Sequence, residues 1–156
     1  MSHSLRQRVQ ALGLTLPTPS QPAANYVNAV ISQNQLFVSG QIPLIDGVPA
    51  YIGRLGESLS NEEGTQAAEL AALGLLGQLS EALGDDLSRL VRTLRLGVFI
   101  ASSADFKQQS AVANGASNLL VNALGDKGRH VRTAVGVCSL PAGVAVEVDA
   151  IFELLP

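Results

Sequence analysis

The stretch from His130 to Asp149 constrains the fold more than any other part of the chain. Val131, Thr133, Val135 and Val137 alternate with Arg132, Ala134, Gly136 and Cys138; further on, Val144, Val146, Val148 and Ala150 alternate with Ala145, Glu147 and Asp149. Period-2 alternation is the pattern of a strand with one face buried. Between the runs lies Leu140-Pro141-Ala142-Gly143, where Pro presets φ and Gly allows φ > 0, so a β-hairpin is expected. If both valine faces meet the core, the parity of the register is fixed, because a slip by one residue turns one strand's valines outward. Arg132 and Glu147 then share the other face, up to about four residues or roughly 13 Å apart along the strands. Ala134 and Gly136 leave open floor between them.

Two arrangements fit that pair. One is a cross-strand ion pair on a solvated face, which is common and contributes little. In the other, the guanidinium grips a carboxylate through two parallel hydrogen bonds while Glu147 orients or deprotonates a water, which implies a small anionic substrate.

Composition narrows the class. A chain of 156 residues with 47% hydrophobic and 15% charged residues is expected to fold as one globular unit with a real core. Ten Lys and Arg against 13 Asp and Glu, a formal charge of -3, lack the basic surplus that neutralises phosphates, so no nucleic-acid partner is expected. Lys127, Arg129, His130 and Arg132 are a local positive concentration leading into the proposed site; they suit either a solvated loop or attraction of a carboxylate. The lone Cys138 excludes an intramolecular disulfide and a CxxC metal site, and no metal ligation is indicated. The N-terminus lacks the apolar core of a signal peptide and no uncharged apolar run approaches 18 residues, so no membrane partner and a cytoplasmic location are expected.

Ser4 and Gln7 form a capping-box pattern before Leu5, Val9 and Leu12, which predicts a short helix ending near Gly13. Prolines 17, 19 and 22 make the following stretch an extended connector. Residues 1–22 are therefore set apart from a main domain over 23–156. Strands are expected over Tyr26–Ile31 and Leu36–Ile42, joined by a polar turn, with a short edge strand over Val48–Ile52 after Asp46-Gly47. Gly40 weakens its strand, which suits either a β-bulge or the close approach of a ligand or backbone. Ser60 and Glu63 open the longest helix, Gly84 stops it, and Gly74 and Gly77 permit close packing on strands. Leu90–Ile100 is a core strand, and Ala104–Leu124 a second long helix ending at Gly125. The order implies an α+β domain with helices on one face of a mixed sheet. On the opposite face Ala134, Gly136, Cys138, Ala145 and Ile151 make an apolar patch that self-association would cover.

Arg132 followed by Leu140-Pro141 and Val146-Glu147-Val148-Asp149, together with Ser39-Gly40-Gln41-Ile42-Pro43, resembles the RidA (YjgF/YER057c/UK114) family. Asn25-Tyr26-Val27-Asn28-Ala29-Val30 is similar to that family's first strand, and Asn114 falls near a family asparagine. The resemblance runs from about Tyr26 to the end, with the N-terminal helix as an addition to the compact plan. It implies the chorismate-mutase-like fold and a homotrimer whose sheets form a central barrel, with pockets between subunits. It also implies cofactor-free hydrolysis of reactive 2-imino or 2-enamino acids to 2-keto acids and ammonia, the chemistry of a 2-iminobutanoate/2-iminopropanoate deaminase. In that scheme Arg132 holds the substrate carboxylate, Glu147 positions water, Tyr26 closes the pocket, Gly40 and Ala134 offer backbone contacts, and Asn114 lines the site. Many relatives carry cysteine where this chain has Ala134. The alternatives are a non-catalytic trimer that binds or senses a small carboxylate, an endoribonuclease, which the charge balance disfavours, and an interaction module built on the N-terminal helix.

Overall fold

A computed structural model describes residues 2–19, 21–22 and 24–156. Helix α1 (Leu5–Ala11) leads through the proline connector to β1 (Ala29–Ser32) and β2 (Gln35–Gln41), then to a two-residue ribbon, β3 (Leu44–Ile45) and β4 (Val48–Pro49). Helix α2 (Asn61–Leu83), β5 (Leu90–Ala101), α3 (Gln109–Leu124), β6 (Val131–Val137) and β7 (Val146–Leu154) complete the chain. The main sheet has the order β1-β2-β7-β5-β6. Among the described strands of this sheet β5 and β6 are parallel, joined by α3, and the other pairings are antiparallel. The expected α+β domain with a mixed sheet is the observed one.

Local chemistry explains the helix ends. Ser60 Oγ accepts from Glu63 N at 3.1 Å and Glu63 Oε2 accepts from Ser60 N at 2.7 Å, a complete capping box; Gly84 closes α2 at φ 63°. Helix α3 starts at Gln109 rather than Ala104. The Ser103 hydroxyl donates to Asp105 Oδ1 (2.7 Å) and Phe106 N to Ser103 O (3.2 Å); such local side-chain bonds compete with a helical start. In α1, Ser4 Oγ accepts from Gln7 N at 3.1 Å, while the return arm of the box runs through Ser2, whose hydroxyl accepts from Ser4 N and donates to Gln7 Oε1.

One core joins all three helices to one sheet face. Leu36 and Val38 of β2, Leu96, Val98 and Ile100 of β5, and Val146, Val148, Ala150, Phe152 and Leu154 of β7 are buried in one cluster with α2 and α3. Leu5 and Val9 of α1 are fully buried in the same cluster. Asp85, just past α2, accepts from Ser4 Oγ (2.6 Å), Arg6 N (2.9 Å) and Ser80 Oγ (3.0 Å). Burial pushes its carboxyl up, but these hydrogen bonds outweigh that and hold it below the ordinary aspartate value. This carboxylate fastens the first helix to the end of the second.

The hairpin expected over 130–149 does not form. Strand β5 lies between β6 and β7, and residues 138–145 step across its end. The register runs Arg132↔Leu96↔Ala150 and Val135↔Phe99↔Glu147. Since directly opposed residues share a face, the parity is the reverse of that expected. The β7 valines face the helices, whereas Val131 and Val135 of β6 face away from them and are 70% and 40% exposed. The open face differs accordingly from the patch expected. One row across all five strands reads Val30, Phe37, Ile151, Arg95, Val131, while Ala145 is fully buried and Ala134 packs against the core.

Gly115, an unexpected glycine inside α3, is explained by helix packing. A Cβ there would overlap the Thr65 carbonyl group of α2, so the helices meet backbone to backbone. Gly74 lets α2 approach Gln41 of β2, whereas Gly77 faces the connector at Pro17 rather than a strand. Gly115→Ala is expected to destabilise the protein by about 1–3 kcal/mol through overpacking, read as a lower midpoint in urea unfolding; an unchanged midpoint would refute the close approach.

Candidate functional site

Strand β6 is an edge strand, and its helix-facing side carries Arg132, Ala134 and Gly136 under α3. Arg132 ends a row that is otherwise apolar, Ala29-Val38-Ala150-Leu96. Its guanidinium reaches the helix instead of the core. Nη1 donates to Asn114 Oδ1 (2.9 Å) and Ser117 Oγ (3.1 Å), and Nη2 donates to the Ser110 carbonyl (3.3 Å). Ser110, Asn114 and Ser117 stand at i, i+4 and i+7, one stripe of α3. Among the described residues, no carboxylate pairs with Arg132. Asn114, placed in the site by resemblance, directly supports the arginine.

Glu147 lies on the opposite face of the sheet. Contrary to what the spacing predicts, it does not stand beside Arg132 within one chain, because β5 lies between β6 and β7 and reverses the parity. Its side chain covers Gly40, where a Cβ would collide with the Glu147 carboxyl group. Gly40 sits in a β-bulge: the register of β2 on β7 shifts between Val38 and Gln41. Of the readings of Gly40 the bulge is the one observed; the group it leaves room for is a side-chain carboxylate of the same chain rather than the ligand or backbone expected. Among the described residues the Glu147 side chain makes no hydrogen bond or ion pair, while the nearby Asp149 is paired with Arg95 at 3.0 Å. Burial pushes the Glu147 carboxyl above the ordinary glutamate value, and the Asp149 charge pushes the same way.

Tyr26 is in a bend before β1, at the opposite edge of the sheet from Arg132, and is 51% exposed. Ala134 shares the row of Val98 and Val148 on the helix side. The six candidate residues thus fall into three groups: Arg132, Asn114 and Ala134 under α3; Gly40 and Glu147 on the open face; and Tyr26 beyond the far edge. A separate cleft of about 410 Å³ between the proline connector and α2 contains none of them. Sequence reasoning missed Ser110 and Ser117, although a polar stripe at helical spacing on an apolar helix was there to be read.

The family model for YjgF/chorismate-mutase-like proteins, whose description adds an endoribonuclease label, matches residues 6–153. The chain belongs to the YjgF/RidA family. It is 50% identical to protein TCP17 of Trypanosoma cruzi over 94% of this chain and 91% of that protein. The crystal structure of Atu1372 from Agrobacterium tumefaciens, a protein of unknown function, has a TM-score of 0.91 at 44% identity, covering 97% of this chain and 92% of that one. A candidate endoribonuclease from Shewanella oneidensis superposes with a TM-score of 0.92 at 32% identity, covering 97% and 99%. The family match begins inside α1. Among the described residues no helix is long and apolar enough to cross a membrane.

The raised Glu147 carboxyl has a consequence for stability. A folded-state pKa above the unfolded one means that the native state binds the proton more tightly. The stabilisation is then full below the unfolded value of about 4.3 and is lost as pH rises through the folded value. Glu147→Gln is therefore expected to raise the thermal midpoint at pH 7, with the difference closing towards pH 4; a midpoint lowered at pH 7 would contradict the burial argument.

Proposed function

We propose that this protein hydrolyses 2-imino acids, and the 2-enamino acids that tautomerise to them, to 2-keto acids and ammonia, acting as a homotrimer with its sites between subunits. One observation carries this reading. Among the described residues Arg132 and Glu147 are each unpaired by an opposite charge, yet stand on opposite faces of one sheet, so a second copy is needed to bring a grip for a carboxylate against a base for water. The open face supplies a reason to associate. Val30, Phe37, Val131 and Val135 are 52%, 37%, 70% and 40% exposed there, an apolar surface of the kind that marks an interface. The same contact can bring Tyr26, at the β1 edge of one subunit, to the β6 edge of the next.

The chemistry follows from the charges. Arg132 holds the substrate carboxylate, which fixes the adjacent C2. The Glu147 carboxylate takes a proton from water as the oxygen bonds to C2 and passes it to the nitrogen as the C2=N π bond opens, giving a carbinolamine. It then takes the carbinolamine hydroxyl proton and passes it to the departing nitrogen as C2=O forms and the C2–N bond breaks. The products are a keto acid and ammonia, with no net change of oxidation state. A carboxyl with raised proton affinity is a better base towards water than an ordinary glutamate. Relatives named for endoribonuclease activity suggest RNA as another substrate, but 10 basic against 13 acidic residues offer little for a phosphate backbone.

The test is the decay of 2-imino acids generated in situ by an amino-acid oxidase, with semicarbazide trapping what survives. The native protein is expected to accelerate the decay, and Arg132→Ala and Glu147→Gln to lose about 10²-fold or more, the usual range for acid–base catalysis, while staying folded. If the native protein is inert towards imines yet binds 2-keto acids through Arg132, the protein is a carboxylate sensor instead. Val135→Lys is expected to shift the mass in light scattering from trimer to monomer and to abolish activity; a trimer that survives the substitution would remove the open face from the interface.

A further inference from the structure

Arg132 is held by a chain of hydrogen bonds that extends beyond α3. His130 Nδ1 is 2.6 Å from the Gly128 carbonyl, and His130 Nε2 is 3.0 Å from Ser117 Oγ. A carbonyl oxygen can only accept, so Nδ1 carries a proton. In the neutral ring Nε2 is then bare and accepts the Ser117 hydroxyl proton. That proton is turned away from Arg132, which leaves the Ser117 oxygen free to accept from Nη1 at 3.1 Å. Every donor in the series therefore points the same way, from Arg132 through Ser117 and His130 to Gly128.

The consequence concerns what Arg132 can still offer. A guanidinium has five N–H groups. Asn114 and Ser117 take both of those on Nη1, and the Ser110 carbonyl takes one on Nη2. Among the described residues nothing takes the Nε–H or the second Nη2–H, a pair that suffices for one carboxylate and no more. We infer that Ser117 and His130 are positioning residues that turn Arg132 so that this remaining pair of donors receives a single substrate carboxylate. The inference rests on the reading of Arg132 as the carboxylate grip and adds the device that orients it. Neither Ser117 nor His130 touches the substrate in this scheme, and each acts through the guanidinium.

Calorimetric titration of the full-length protein with 2-oxobutanoate, a stable 2-keto acid, tests it. Ser117→Ala is expected to weaken binding about tenfold, as the loss of one hydrogen bond to a charged group does; Ser117→Thr, which keeps the hydroxyl, restores it. His130→Ala is expected to weaken binding about three- to fivefold in the native background and to have no further effect in the Ser117→Ala background, because the two act in series. Native-like binding by Ser117→Ala, or full losses by both variants that add, would overturn the inference while Arg132→Ala still abolishes binding. If Arg132→Ala binds 2-oxobutanoate normally, the grip itself is refuted, and the inference with it. The ¹⁵N spectrum of the His130 ring is an independent check needing no substitution at Ser117: a neutral ring protonated at Nε2 instead of Nδ1 would break the chain.

Discussion

The parallel pairing of β5 with β6 governs everything else in this structure. Parallel neighbours cannot be joined by a tight turn, so α3 must cross over between them, and that helix lies along the very strand that carries Arg132. The arginine consequently projects into a polar stripe of α3 instead of across the sheet to Glu147. Strand β7, arriving antiparallel, takes the place between β2 and β5 and fills the centre of the core with Val146, Val148, Ala150 and Phe152.

Two kinds of small residue serve this arrangement. Gly64 and Gly115 let α2 and α3 pack closely, with Gly64 facing Leu55 and Val112, and Gly115 facing Thr65. Gly40 instead clears space over the sheet for a carboxylate. Its bulge and the Arg95–Asp149 pair leave Glu147 half-buried and unpaired. Burying an unpaired carboxyl costs stability, a cost of the sort that functional sites carry and that packing elsewhere offsets.

Much of this was legible in the residues. Ser60 with Glu63, Gly84, Gly125 and the Asp46-Gly47 turn act through bonds and dihedrals within a few residues of themselves, so the ends of α2, the end of α3 and this turn appear where the pattern places them, although the strand expected over Val48–Ile52 stops at Pro49. The later start of α3 has the same local origin, in a Ser103–Asp105 contact that apolar periodicity does not register. The site was legible only in part. Arg132, Gly40 and Glu147 stand in recognisable motifs and Asn114 near a family asparagine, but the valine alternation of β6 marks a face that the helices do not bury. The sheet has a second apolar face, formed by Val30, Phe37, Phe99, Val131 and Val135.

What the sequence by itself determined is therefore the inventory: the caps, the turns, the strand and helix periods, and the presence of an arginine and a glutamate on adjacent segments near the C-terminus. All of these follow from short-range stereochemistry and from the period of side-chain directions. What only the tertiary structure decided is which strands are neighbours, and hence which faces Arg132 and Glu147 occupy. Strand order depends on the burial of whole faces over long chain separations, and the turn chemistry of Leu140-Pro141-Ala142-Gly143 serves a step across a strand as well as a return along one.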